Sequence, residues 1–177
     1  MPKEITKIKI MEIVKHSYKW ARTLTKRKKT NEIILHCAAT PEGINYSVDA
    51  IHRAHLARQF AGIGYNFVIY RDGSIHEGRP LGATGAHTSG HNSNSVGICY
   101  IGGVASDGKT PKDTRTPEQR AALFEVVREL MLNYDIPLTR VYGHYQYANK
   151  ACPSFKIETF RAEFLAWLNE RNKMKGE

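Results

Sequence analysis

The alternation of apolar and polar positions divides the chain into short strand-like runs and longer helix-like stripes. Glu32-Ile33-Ile34-Leu35-His36-Cys37-Ala38 is an isoleucine-rich run that stops at Thr40-Pro41-Glu42-Gly43, which predicts a buried strand ending in a turn. Gly64 to Tyr70, the turn signal Arg71-Asp72-Gly73-Ser74 and then Ile75-His76-Glu77 predict a hairpin, and Ser95 to Ile101 another central strand. Ser47-Val48-Asp49-Ala50 opens a helix with Val48, Ile51, His55 and Leu56 on one face, ending before Gly62; this spacing makes His55 a packing residue and His52 a surface one. Thr116-Pro117-Glu118-Gln119 supplies a threonine cap, a proline at the first helical position and a glutamine placed for a capping box. Leu123, Val126, Val127, Leu130 and Met131 form the stripe of that helix, and Ile157, Phe160, Phe164, Trp167 and Leu168 that of a last one. Intermixed strands and helices with a hairpin imply a single α/β domain, a central mixed β-sheet flanked by helices.

Ahead of this domain, Ile10, Ile13, Val14, Ser17, Ala21 and Leu24 recur at helical spacing, with Tyr18 and Trp20 at the margins, which predicts an amphipathic basic helix as an N-terminal extension. Ten lysines and arginines but only two carboxylates precede Asn31, so nearly all of the net charge of +9 lies there. Two uses are open to such a helix: docking on the domain, or seeking an anionic surface with Lys15, Lys19, Arg22 and Lys26. Residues 1–30 are therefore expected to be a basic leader, 31–170 the domain and 171–177 a polar tail. No nucleic-acid partner is expected, because the domain after residue 30 lacks a basic stripe.

A chain of 177 residues with 41% hydrophobic and 24% charged residues suits one globular domain, and no apolar run approaches membrane-spanning length. Cys37, Cys99 and Cys152 are an odd, scattered set, which argues against a disulfide framework and for synthesis in a reducing compartment with free thiols. The N-terminus carries no secretory pattern, so cytoplasmic synthesis without a signal peptide is expected, with any action outside the cytosol following release by another agent.

The densest chemistry lies in Tyr142-Gly143-His144-Tyr145-Gln146-Tyr147-Ala148-Asn149-Lys150-Ala151-Cys152-Pro153-Ser154. That stretch reads either as a wet surface loop or as a site held out by a rigid scaffold. His36 is likewise open to two readings, a hydrogen-bonded core histidine or a ligand. Two histidines and a cysteine are an accepted zinc set with a fourth position left for water, and His36, His144 and Cys152 can supply it. Lys150 could then place a cation against a developing oxyanion.

The segments Ile34 to Thr40, Gly62 to Ile69, Arg71-Asp72-Gly73, Gly85-Ala86-His87, Asn94 to Ile98 and Lys150 to Phe155 together resemble the type-2 N-acetylmuramoyl-L-alanine amidases, which include phage amidases called lysozymes and animal peptidoglycan recognition proteins. The resemblance covers about residues 31 to 168. It implies one zinc ion on His36, His144 and Cys152, catalytic assistance from Tyr65 and Lys150, and a substrate groove at His87, Asn94 and Ser95. The implied reaction is hydrolysis of the amide between the lactyl group of N-acetylmuramic acid and L-alanine, by a monomeric, bacteriolytic endolysin acting on peptidoglycan. Three features depart from the pattern: Asn66 stands where histidine is common, Cys99 where one branch has a catalytic glutamate, and the basic leader before residue 31 is no part of it. The alternatives are a non-catalytic peptidoglycan-binding or regulatory module, and a cysteine hydrolase using Cys37 or Cys99; both thiols fall in runs that read as buried strands.

Overall fold

The computed structural model describes residues 12–176 of the chain. In chain order the elements are β1 (Ile13–Val14), β2 (Glu32–Cys37), β3 (Thr40–Pro41), α1 (Val48–Ala57), β4 (Phe67–Ile69), β5 (Ile75–Glu77), β6 (Ser95–Tyr100), β7 (Gly103–Val104), α2 (Pro117–Tyr134), β8 (Val141–Gly143) and α3 (Ile157–Lys175). Among the described residues six strands form one mixed sheet in the order β1-β5-β4-β6-β2-β8, in which only the β4–β5 hairpin is antiparallel. The parallel pair β3 and β7 lies apart from it.

Side-chain alternation along β2 and β6 sorts the two faces. Ile33, Leu35, Val96, Ile98 and Tyr100 join the larger core with Leu123, Val127 and Leu130 of α2 and Phe160 and Phe164 of α3. Val68, Cys99 and Ile101 turn the other way, onto Val48 and Ile51 of α1. The expected capping box is present: Thr116 Oγ1 accepts the Gln119 N–H at 3.1 Å, and Gln119 Oε1 accepts the Thr116 N–H at 3.0 Å. Gly73 completes the hairpin turn at φ +85°, a region that favours glycine.

The N-terminal segment is where the expectation fails. Among the described residues, 12–30 contain no helix; Ile10 lies outside them. The segment runs as an extended strap, with Ile13 and Val14 pairing against Ile75 and His76 at the sheet edge. Beyond that point His16, Tyr18 and Trp20 turn inward while Lys15, Ser17 and Lys19 stay exposed, the period of an extended chain rather than of a helix. The reason is a better set of partners. His16 Nε2 meets His76 Nδ1 at 2.8 Å, the Tyr18 hydroxyl donates to the Glu77 carbonyl at 2.6 Å, and the Trp20 ring packs edge-on against His52. Farther along, Arg27 is buried and donates to the carbonyls of Leu81 and Ala83. His52, expected at the surface, is 5% exposed because Trp20 covers it, and its Nδ1 accepts the Ile63 N–H.

Candidate active site

Strand β2 delivers His36 on the α1 side of the sheet, and β8 ends immediately before His144. The loop after His144 folds back, with the Tyr145 N–H donating to the Cys152 carbonyl at 2.9 Å, and so returns the thiol to the same place. The donor atoms of His36, His144 and Cys152 lie within 4.8 Å of one another. The Cys152 Sγ is 3.8 Å from His36 Nδ1 and accepts the Cys37 backbone N–H at 3.2 Å.

The far side of the His36 ring is held as well. Its Nε2 lies 2.9 Å from His87 Nδ1 and 3.3 Å from Thr88 Oγ1, which leaves Nδ1 turned towards Cys152. A ligating histidine needs such a partner on its second nitrogen to fix tautomer and orientation. Gly97 makes the arrangement possible, since a Cβ there would lie 2.6 Å from the His87 ring.

Burial, then the neighbouring imidazoles and Lys150, hold His36 well below its ordinary pKa. Burial followed by Lys150 lowers His144 too, and burial first, then His144, pushes His87 down to about 3. All three are neutral at pH 7, the state in which a ring nitrogen offers its lone pair. The adjacent Cys37 thiol and then burial push Cys152 up, which keeps it a thiol that would give up its proton on ligating a cation. Two neutral imidazoles and one thiol, backed on the far side of His36 and open towards a groove, fit a catalytic zinc ion.

The groove is a cavity of about 410 Å³. His55, Arg58, Phe60 and Tyr65 form one wall, His144, Tyr147 and Lys150 another, and His87, Thr88 and Asn92 lie between. The Tyr65 ring centroid is 5.1 Å from that of His36, and burial raises the Tyr65 pKa well above its ordinary value, keeping the hydroxyl a donor at neutral pH. Asn66 points the opposite way: its Oδ1 accepts the Gly97 N–H at 3.0 Å and its Nδ2 donates to the Arg79 and Pro80 carbonyls, tying the start of β4 to β6. The two thiols weighed as nucleophiles are buried, Cys37 at 5% exposure and Cys99 at 0%.

The sequence-predicted residues divide. His36, His144 and Cys152 come together, with Tyr65, Lys150 and His87 lining the groove beside them. Asn94 and Ser95 are not brought into it. Ser95 is fully buried and bonds the His91 carbonyl, and Asn94 Nδ2 donates to Asn31 Oδ1 and Glu32 Oε1. Lys15, Lys19, Arg22 and Lys26 are exposed along the strap.

Sequence reasoning missed Thr88 and a buried carboxylate. Glu32, 4% exposed, accepts the Tyr147 hydroxyl at 2.8 Å, and Tyr147 stacks on His91 at 3.6 Å, which locks the two loops flanking the groove to each other. The available signal was an acidic residue opening an otherwise apolar strand.

A groove furnished in this way, cut into one face of a mixed sheet, marks a hydrolytic enzyme. The model of the N-acetylmuramoyl-L-alanine amidase family matches residues 26–155; the chain belongs to that family and is a peptidoglycan amidase. It is 39% identical over 134 residues to the endolysin of Enterobacteria phage K11, covering 76% of this chain and 87% of the relative. With the endolysin of Escherichia phage T7 it shares 36% identity over 132 residues, covering 75% and 85%. The solved structure of the endolysin N-acetylmuramoyl-L-alanine amidase LysCS from Clostridium intestinale superposes with a TM-score of 0.75 at 32% identity, over 86% of this chain and 94% of that one. Both the family and the fold expected from the motifs hold. Among the described residues no helix is long and apolar enough to cross a membrane.

Proposed function

We propose that this chain is a zinc-dependent amidase of the phage endolysin kind, which hydrolyses the bond between the lactyl group of N-acetylmuramic acid and L-alanine and acts on the cell wall after release from the cell that makes it. The observation that carries the reading is the meeting of His36, His144 and Cys152 donor atoms within 4.8 Å beside an open groove. Zinc, when bound, supplies a Lewis acid that polarises a carbonyl oxygen and makes water nucleophilic near neutral pH. His36 keeps its Nδ1 free for that role because His87 and Thr88 occupy its Nε2. The Tyr65 hydroxyl, protonated at neutral pH, donates to the oxyanion that develops as the amide carbonyl is attacked. Lys150, exposed at the groove edge, brings a fixed positive charge to the same oxygen.

The test is digestion of purified peptidoglycan, with mass analysis of the fragments and metal analysis of the protein. Stem peptides carrying a new alanine amine should appear, vanish with a chelator and return with zinc. Cys152→Ser should lose both stoichiometric metal and turnover. Undiminished digestion by stripped protein, or cleavage at another bond, would overturn the proposal.

A further inference from the structure

Beside the ligand Cys152 stands a second cysteine that the proposed reaction does not use. Cys37 directly follows His36 at the end of β2, and strand alternation turns its side chain to the other face of the sheet, into the larger core. Cys152 comes from the loop after β8 and lies across the end of that strand. Its Sγ accepts the Cys37 N–H at 3.2 Å and is 3.8 Å from both the Cys37 carbonyl oxygen and His36 Nδ1. A hydrogen bond joins the two sulfurs.

The remaining walls around Cys37 are closed. A Cβ on Gly103 would lie 2.4 Å from the Cys37 Sγ, so the sulfur rests directly against that glycine. Ser154 fills another side, its Oγ 3.9 Å from the same sulfur and donating to the Gly103 carbonyl at 2.8 Å. Cys99 is set apart: it sits opposite His36 in the β2–β6 register and packs with Val48 and Ile51 on the α1 side, so the sheet stands between it and Cys37. The sulfur within reach of Cys37 is that of Cys152.

We infer that Cys37 and Cys152 are an oxidisable pair, closed to a disulfide by a peroxide in the metal-free chain and protected from it by a bound zinc ion; the protection rests on the zinc reading above. Cys152, the more exposed of the two, meets the oxidant first. Its sulfur bonds one peroxide oxygen, the O–O bond breaks, and the departing hydroxide takes the thiol proton and leaves as water. Cys37 then attacks the sulfur of this sulfenic acid, forming the S–S bond, breaking the S–O bond and releasing a second water. Each sulfur gives up one electron and the peroxide accepts two. Burial makes Cys37 a poor target for an outside reagent, yet it already touches the atom it has to attack. A disulfide sulfur has no thiolate charge to offer a cation, and a thiolate held by zinc is withheld from the peroxide, so ion and disulfide compete for one atom. A chain made among reduced thiols and released to the cell wall, as proposed above, faces that choice on leaving the cell.

In the experiment the full chain, stripped with a chelator, is treated with hydrogen peroxide and followed by thiol titration, intact mass and peptide mapping. Two of the three thiols should disappear, and the linked peptides should contain Cys37 and Cys152. The mass should fall by about 2 Da and return with dithiothreitol. Cys99→Ala should behave in the same way. Cys37→Ala should instead carry Cys152 on to the sulfinic acid, a gain of about 32 Da that dithiothreitol does not reverse. With zinc about tenfold above its measured dissociation constant, closure should slow about tenfold, since only the metal-free fraction reacts. Oxidised protein should take up no zinc until it is reduced. Three thiols surviving the peroxide, or a bond through Cys99, would overturn the pair. Equal rates of closure with and without bound zinc would overturn the protection. A reduced chain that binds no zinc but still closes its disulfide would sink the zinc reading, and the protection with it, and leave the pair standing.

Discussion

Acid should weaken the folded protein through His55, and His55→Asn should remove that share of the loss. The ring is 6% exposed and its Nδ1 accepts the Gly64 N–H at 2.9 Å, so a proton arriving at Nδ1 breaks this bond and leaves a buried donor unmatched. Burial first, then the charges of Arg58 and Arg79, push its pKa from 6.5 down to about 4. Between these two values the unfolded chain takes up a proton that the folded chain refuses, so the stability contributed is complete above pH 6.5 and declines as pH falls towards 4. The depression corresponds to about 3 kcal/mol at the acid limit, and to roughly 1.4 kcal/mol one pH unit below the unfolded value. Asparagine sets an amide oxygen near the former Nδ1 and does not titrate, so it keeps an acceptor for Gly64. Urea unfolding at pH 7 and at about pH 5.5 then gives the comparison, with the wild type losing about 1 kcal/mol more than the variant. His36, His87 and His144 are depressed as well and add to both proteins' losses, so the difference between the two isolates His55. Equal losses would refute the assignment of a neutral, bond-accepting His55.

Lys150→Ala should retain stoichiometric zinc while kcat falls about 10²- to 10³-fold, the scale of one oxyanion contact; a metal-free variant would contradict the role given to Lys150. Trp20→Ala, which uncovers His52 and strips the strap's largest ring, should cost about 2 kcal/mol in denaturant unfolding, and a change near zero would show that the strap adds no packing. Replacing Lys15, Lys19 and Lys26 together by glutamate should weaken binding to anionic vesicles several-fold at low salt and flatten its salt dependence, whereas unchanged binding would dismiss an envelope role for these exposed charges. Burial works to raise the Asp113 carboxyl, but bonds and charges from Arg115 and Arg120 outweigh it and hold it low. Asp113→Asn should therefore cost about 1 kcal/mol at neutral pH, and the gap should narrow as pH falls below about 4, through the depressed folded value. A pH-independent gap would count against the ion pair.

The parts of the fold that could be read from sequence are those in which neighbours along the chain decide the outcome. β2, β6, the β4–β5 hairpin and the helices α1, α2 and α3 rest on local periodicity, capping and turn chemistry, and each lies where those signals put it. The three donor residues were found through separated motifs, although His36 and Cys152 are 116 positions apart. What stayed hidden depends on partners that no local pattern carries. His87 and Thr88 hold the back of His36 from more than 50 residues away, and nothing near either residue announces it. The strap is the sharpest case. In Ile10 to Leu24 the apolar residues are few enough to fit a helical stripe, while His16, Tyr18 and Trp20 fit an extended alternation equally well. The choice between the two is made by β5, whose outer edge would otherwise present unpaired backbone groups to solvent. Pairing with β1 satisfies that edge, and each inward side chain after it finds a partner: His16 on His76, Tyr18 on the Glu77 carbonyl, Trp20 on His52. Removing residues 1 to 28 would thus expose a sheet edge, uncover His52 and take away the buried Arg27 along with the leader's lysines. For that reason charge substitution, and not truncation, separates what the strap binds from what it holds in place.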